Sequence, residues 1–232
     1  MKRYWATMGA GVGALAGLTL VEGYQRSFLL LNGAAFALGD LVFPHLTHLG
    51  DGVVLTSLMT LVLWRIRPGM AATALAAMLV SALAVNVLKF WVFNEWRRPL
   101  GTFEPELVRM LGRAPEYYFS FPSGHSTSAG AGFTLLAFAF PRFGIVWAIA
   151  ALLTAYSRIY VGSHFPGDVA AGLALGALCA VGTERAIRLR LENYFSSLEP
   201  LAALRLRTVV YVLASAALTL ALSNRYFGGW VG

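Results

Sequence analysis

Two stretches of this chain concentrate residue types that can hold and attack an anion. The first opens at Lys89, passes Arg97, Arg98 and Pro99, and ends at Phe121-Pro122-Ser123-Gly124-His125. The second runs from Ser157-Arg158 through His164 to Asp168. Lys89, Arg98 and Arg158 supply fixed positive charge, and an arginine fork matches the oxygens of a phosphate. Ser123 and the Gly124 backbone N–H, at a helix start predicted after Pro122, can donate to the same anion. His164 and Asp168 lie four apart with Pro166 between them, which puts a carboxylate one helical turn from the imidazole. Such a carboxylate fixes the tautomer and raises the basicity of the free nitrogen, as a nucleophile needs. His125 remains as a general acid for a departing alkoxide. Fixed cations and N–H donors can offset the charge of a phosphoryl transition state. Neither a metal nor another cofactor is expected, since no carboxylate cluster stands ready to hold an ion.

The elements that carry these residues are apolar. Hydrophobic residues make up 58% of the 232 and charged residues 12%, against about a quarter charged in soluble domains. Uncharged runs cover 4–21, 52–64, 68–88, 126–141, 143–157, 169–183 and 208–224, and roughly 20 apolar residues cross a bilayer as a helix. An all-α, polytopic membrane bundle is therefore expected. Six runs form its core over 4–183, and one domain covers the chain. Residues 184–207 form a cytoplasmic surface segment, and 208–224 add a C-terminal helix. The apolar start after Met1-Lys2-Arg3 has no small-residue cleavage site before Glu22 and reads as a retained span. Residues 23–51, with Asp40, His45, His48 and Asp51, suit one or two short interfacial helices.

Alternating the spans sorts the charges. The side of the N-terminus holds ten basic and three acidic residues, the other side eight of each. The basic excess marks the cytoplasm, so the N-terminus is inside and both motif stretches lie outside. The net charge of +7 flanks apolar runs instead of forming a stripe, which disfavours nucleic acid as a partner. Cys179 is the single cysteine, so no disulfide can form within the chain.

Together the motifs resemble the type 2 phosphatidic acid phosphatase (PAP2) family, which includes bacterial lipid phosphatases and vanadium haloperoxidases. The family pattern is Lys, six residues, Arg-Pro; then Pro-Ser-Gly-His; then Ser-Arg, five residues, His, three residues, Asp. Pro122-Ser123-Gly124-His125 and the Ser157-Arg158, His164, Asp168 block match in full. The first block departs, with eight residues between Lys89 and Arg98. The resemblance implies that Lys89, Arg98, Ser123, Gly124, Ser157 and Arg158 hold the phosphate. It further implies that His164 attacks phosphorus, Asp168 orients it, and His125 protonates the leaving oxygen and then activates water.

The expected protein is a lipid phosphatase of the bacterial cytoplasmic membrane, its site on the outer face. Undecaprenyl diphosphate, lipid A and phosphatidylglycerophosphate are the candidate substrates, and membrane lipids the surroundings. A phosphotransferase using the same intermediate is the nearest alternative. A transporter or scramblase that keeps the pocket for head-group binding is disfavoured, because every catalytic side chain is present. Other residues read more plainly. Arg97, Arg109 and Arg113 suit interface anchors, and Trp91, Trp96, Tyr117, Tyr118 and Phe121 an aromatic belt. His45 and His48 fit an interfacial turn better than a metal pair. Gly9, Gly13 and Gly17 make a smooth face, read first as internal packing and second as a homodimer contact. Residues 100–121 are the expected specificity loop.

Overall fold

In the computed structural model, which describes residues 1–112 and 116–226 (for 224–226 the backbone only), every apolar run is helical. Arg113 lies outside the described residues. The helices are α1 (Lys2–Glu22), α2 (Tyr24–Gly33), α3 (Ala37–Leu46), α4 (Gly52–Ile66), α5 (Pro68–Val87), a short α6 (Pro99–Thr102), α7 (Gly124–Ala139), α8 (Gly144–Tyr160), α9 (Pro166–Ser196) and α10 (Pro200–Tyr226). A π turn, Leu88–Val92, extends α5, and a 3-10 turn, Thr47–Gly50, follows α3. The described residues contain no strand. The fold is an all-α membrane bundle.

Five helices are long and apolar enough to cross a bilayer: Lys2–Glu22, Pro68–Val92, Pro141–Tyr160, Pro166–Ser196 and Pro200–Ser223. Helix α4 is apolar but shorter, and α2 and α3 with its turn form a pair bent by 115°. Local chemistry sets the starts. Asp51 caps α4 by accepting from Val53 N at 2.9 Å and Val54 N at 3.0 Å. Proline opens α5 and α9, where its missing N–H leaves no partner unsatisfied.

Three expectations change. Helix α9 does not end near Thr183 but continues to Ser196, through much of the predicted surface segment. Residues 183–196 contain neither glycine nor proline, and Arg188 bridges Glu184 at 2.6 Å and Glu192 at 3.0 Å, each one turn away. Helix α10 begins at Pro200, earlier than 208. The Gly9, Gly13, Gly17 face is not packed internally, because a Cβ on any of the three would meet no atom within 4 Å. Gly11 is the residue that packs, against Leu152.

Helix α7 is the centre. It is almost wholly buried, and α9 crosses it at backbone contact. A Cβ on Gly172 would come within 2.5 Å of the Ser123 carbonyl oxygen, and one on Gly176 or Gly130 would collide with the backbone of Thr127 or Leu173. Lipid tails give helices no hydrophobic reason to associate, so small residues and close packing must hold them. Gly176→Ala should therefore lower the unfolding midpoint in detergent, overpacking costing about 1–3 kcal/mol. Gly182→Ala, where a Cβ would meet nothing within 4 Å, should hold or raise it. Equal midpoints for the two variants would contradict the backbone contact.

Candidate active site

The close crossing of α7 and α9 brings two helix N-termini together. Ser123 caps α7, its hydroxyl oxygen accepting from Ser126 Oγ at 2.9 Å, and its own N–H donates to the Asp168 carbonyl at 3.1 Å. Asp168, in the first turn of α9, is fully buried. Burying a carboxylate demands hydrogen bonds to both oxygens. Oδ2 accepts from Ser120 Oγ at 2.6 Å and from the Phe165 N–H at 3.0 Å, and faces His164 Nδ1 at 3.3 Å. Oδ1 accepts from the Tyr24 hydroxyl of α2. With Nδ1 turned to the carboxylate, Nε2 carries the free lone pair of a neutral imidazole.

The turn that delivers His164 is built on Arg158. The Ser163 and His164 N–H groups donate to the Arg158 carbonyl at 2.9 and 3.2 Å. Gly162 takes φ +81 there, and a Cβ on it would lie 2.6 Å from the Arg109 carbonyl oxygen, so only glycine fits. The Arg158 side chain is fully buried, with Nη1 donating to Thr47 Oγ1 at 2.7 Å. Lys89 is buried on the π turn and its Nζ donates to the Phe119 carbonyl at 2.8 Å. Arg98 donates through Nε to the Tyr118 carbonyl at 2.9 Å and pairs with Glu116 at 2.5 Å. Between Lys89 and Arg98 the chain leaves α5 through the π turn and a bend. Gly124 opens α7, and a Cβ on it would meet no atom within 4 Å.

Arg98, Lys89, Arg158 and His125 all lie near enough to act on the charge of His164. Burial first, then those positive groups, hold its imidazole well below the ordinary histidine value. The Asp168 partner was expected to raise that basicity; desolvation and the cations outweigh it. The ring is therefore neutral at physiological pH. The buried Ser157 hydroxyl donates back to the Thr154 carbonyl of the same helix at 2.6 Å. Among the described residues, no three His, Cys, Asp or Glu side chains converge.

Sequence reasoning missed Tyr24, Ser120 and Thr47. Tyr24 lies 144 positions from Asp168 and no spacing rule connects them. It missed Asn32 as well, whose Nδ2 reaches the carbonyls of Arg109, Ile159 and Tyr160 at 3.1, 3.0 and 3.1 Å and whose Oδ1 accepts from the Arg109 N–H. Arg109 is no simple interface anchor. It pairs with Asp40 and lies 5.1 Å over the Tyr160 ring, pinning the loop to α3 and α8. Trp91 stays exposed as a belt residue. Trp96 and Phe121 instead pack together at 5.0 Å, with Trp96 5.7 Å from Tyr24.

Helical spans, two crossed helix N-termini and a cationic pocket around a buried His–Asp pair define a membrane protein of a particular class. Residues 70–191 match the model of the PAP2 superfamily. The chain belongs to that superfamily and is an integral membrane protein. It is 33% identical over 149 residues to the lipid A 1-phosphatase of Rhizobium johnstonii, covering 57% of this chain and 61% of that one. The chain thus spans less than two thirds of that relative's length. The crystal structure of Aquifex aeolicus LpxE superposes with a TM-score of 0.63 at 30% identity, over 70% of this chain and 94% of that one. The transmembrane PAP2 type phosphatidylglycerolphosphate phosphatase of Bacillus subtilis shares the fold, with a TM-score of 0.55 at 24% identity over 80% and 96% of the two chains.

Two measurements check this geometry. Tyr24→Phe removes one donor from a buried carboxylate and should lower stability by about 1–3 kcal/mol in denaturant titrations, with the helix content unchanged. In nitrogen-15 histidine spectra, the His164 ring should remain neutral at about pH 6, where an ordinary histidine of pKa about 6.5 is mostly protonated. A lowered value means that more acid is needed to charge the ring. A His164 signal that titrates near pH 6.5 would contradict the desolvated pocket.

Proposed function

We propose that this protein hydrolyses a phosphomonoester or diphosphate of a membrane lipid through a phosphohistidine intermediate, without a metal. The observation that carries the reading is the buried His164–Asp168 pair, its free nitrogen set among Lys89, Arg98 and Arg158. His164 Nε2 attacks phosphorus and the P–O bond to the lipid breaks. Asp168 holds Nδ1–H as positive charge develops on the ring, and His125 gives its proton to the departing oxygen. His125 then takes a proton from water, the resulting hydroxide attacks phosphorus, and the P–N bond breaks to free His164 and phosphate. Lys89, Arg98, Arg158, Ser123, Ser157 and the Gly124 N–H bind the phosphoryl oxygens. Three fixed cations supply the charge stabilisation that Mg²⁺ supplies in other phosphoryl transferases.

The reading extends to placement. The protein lies in the bacterial cytoplasmic membrane with its N-terminus inside and its site on the outer face, as the basic excess on the N-terminal side supports. Residues 1–232 form one domain. Relatives named for lipid A, undecaprenyl diphosphate and phosphatidylglycerophosphate support a phosphorylated membrane lipid of one of these three kinds. A detergent assay of phosphate released from these three lipids tests the reading directly. Release should persist in EDTA, and loss in EDTA restored by a divalent ion would overturn the metal-free mechanism. Transfer of phosphate to a second lipid without release would make the protein a phosphotransferase.

Variants at the cations and the nucleophile give an ordered expectation. His164→Ala should abolish release and remove the acid-labile protein-bound phosphate formed by the wild type. Arg98→Ala should slow turnover on the order of 10²-fold or more, since a charge-assisted contact to the transition state is lost. Lys89→Ala should fall between that and Arg97→Ala. Arg97 is exposed and donates to the Gly101 carbonyl at 3.2 Å, so its loss should cost less than about threefold. Wild-type activity in His164→Ala would end the phosphohistidine mechanism, and exchange of Arg97 and Arg98 in the order would shift the first motif by one residue.

A further inference from the structure

A cavity of about 550 Å³ lies between α4, α5 and α10 and has a mostly apolar lining. It is within the size range of small-molecule sites. One end is polar, formed by Asp51, Gly52 and Ser128. That end adjoins the catalytic pocket. Ser128 lies three residues after His125, about one turn down α7. Gly50, beside Asp51, is pressed against His125, so that a Cβ on it would come within 2.9 Å of the His125 Cβ. From there the cavity descends along α4 to Thr60, with Leu75 and Met78 of α5 on one side and Ala214 of α10 on the other. Nine residues of helix separate Asp51 from Thr60, about 14 Å of rise. Half of a bilayer's hydrocarbon core is about 15 Å. The cavity therefore starts at the level of the pocket and ends near the membrane midplane.

We propose that this cavity is a slot for one hydrocarbon chain of the substrate lipid, and that α10, which lies beyond the residues matching the superfamily, builds its outer wall. The depth fits a chain that hangs from a head group at His164 into the same leaflet. The lining fits methylene groups: Leu75, Met78 and Ala214 offer dispersion contacts, the charged Asp51 stands only where the head group would begin, and the hydroxyl residues Thr56, Ser57 and Thr60 follow one another down the α4 wall. A chain held there fixes the phosphoester relative to His164 and makes chain length part of specificity. The slot rests on the phosphatase reading only for the identity of the head group.

The test uses a long-chain alkyl phosphonate, which cannot be hydrolysed, carrying a photoreactive diazirine at mid-chain. Irradiated with the full-length protein in bicelles, it should label peptides of α4, α5 and α10, and excess long-chain alkyl phosphate should prevent the labelling. Ala214→Phe fills the slot and should weaken labelling about tenfold or more, and should lower the kcat/KM ratio of long-chain to short-chain phosphoesters by a similar factor. Ala217→Leu, a milder change in the same wall, should act in the same direction if Ala214→Phe folds poorly. Val212→Phe, exposed on another face of α10, should label as the wild type does. Labelling spread over the outer surface, or unchanged in both slot variants, would overturn the proposal. Slot labelling without any phosphate release would sink the phosphatase reading and leave the slot standing. Release without slot labelling would do the reverse.

Discussion

The Asp168 carboxylate is the point to which the rest of the structure is tied. A fully buried carboxylate is costly unless every lone pair that water would fill finds a donor. Here the donors come from separate parts of the chain: Tyr24 from α2, Ser120 from the loop before α7, and Phe165 from the start of α9 itself. The positive end of α9 adds a favourable field at its first turn. None of these groups suffices alone. Asp168 can be buried only when α2 has folded back over α9 and the loop has closed on α7. The geometry of His164 is thus a consequence of the whole fold.

That closure depends in turn on how near α7 and α9 can come. The Ser123 N–H reaches the Asp168 carbonyl at 3.1 Å only because Gly172 presents no side chain toward Ser123. Gly176 and Gly130 allow the same approach lower down. In a membrane, where apolar side chains gain little by leaving lipid for protein, such contacts carry much of the association. They also set two helix N-termini against each other at the pocket. A helix N-terminus favours negative charge, so this end of the bundle suits an anion.

Much of this was legible in the sequence because it is local or has a fixed spacing. The His164-to-Asp168 interval, the Ser123 cap and the proline starts of α5 and α9 each follow from helix geometry. Span existence followed from apolar runs, and the bundle from their number. Boundaries were less legible where charge and helix propensity compete, as at Glu184, where i,i+4 ion pairs carried α9 on past the membrane-like run. Partnerships across the fold were not legible at all. Tyr24, Thr47, Ser120 and Asn32 are ordinary polar residues in sequence, and only packing shows which buried group each one serves. The glycine face of α1 was misread for the same reason. Spacing announces a smooth face but not what lies against it.

The electrostatics of the pocket connect binding to reactivity. Cations at membrane depth are expensive, and around His164 the buried Lys89 and Arg158 join Arg98, with the carboxylates of Asp168 and Glu116 as counter-charges. Three cations against two carboxylates leave a positive excess that an anion such as phosphate can balance. The same imbalance that draws in an anion also repels a proton from His164, leaving Nε2 with its lone pair. In the proposed mechanism the negative charge of a bound phosphate offsets the cations, so that positive charge can develop on the His164 ring. Asp168, 3.3 Å from Nδ1, would then face an N–H of rising acidity. Affinity for an anion and the neutral form of His164 thus follow from one charge distribution, set by where the fold buries its few ionised groups.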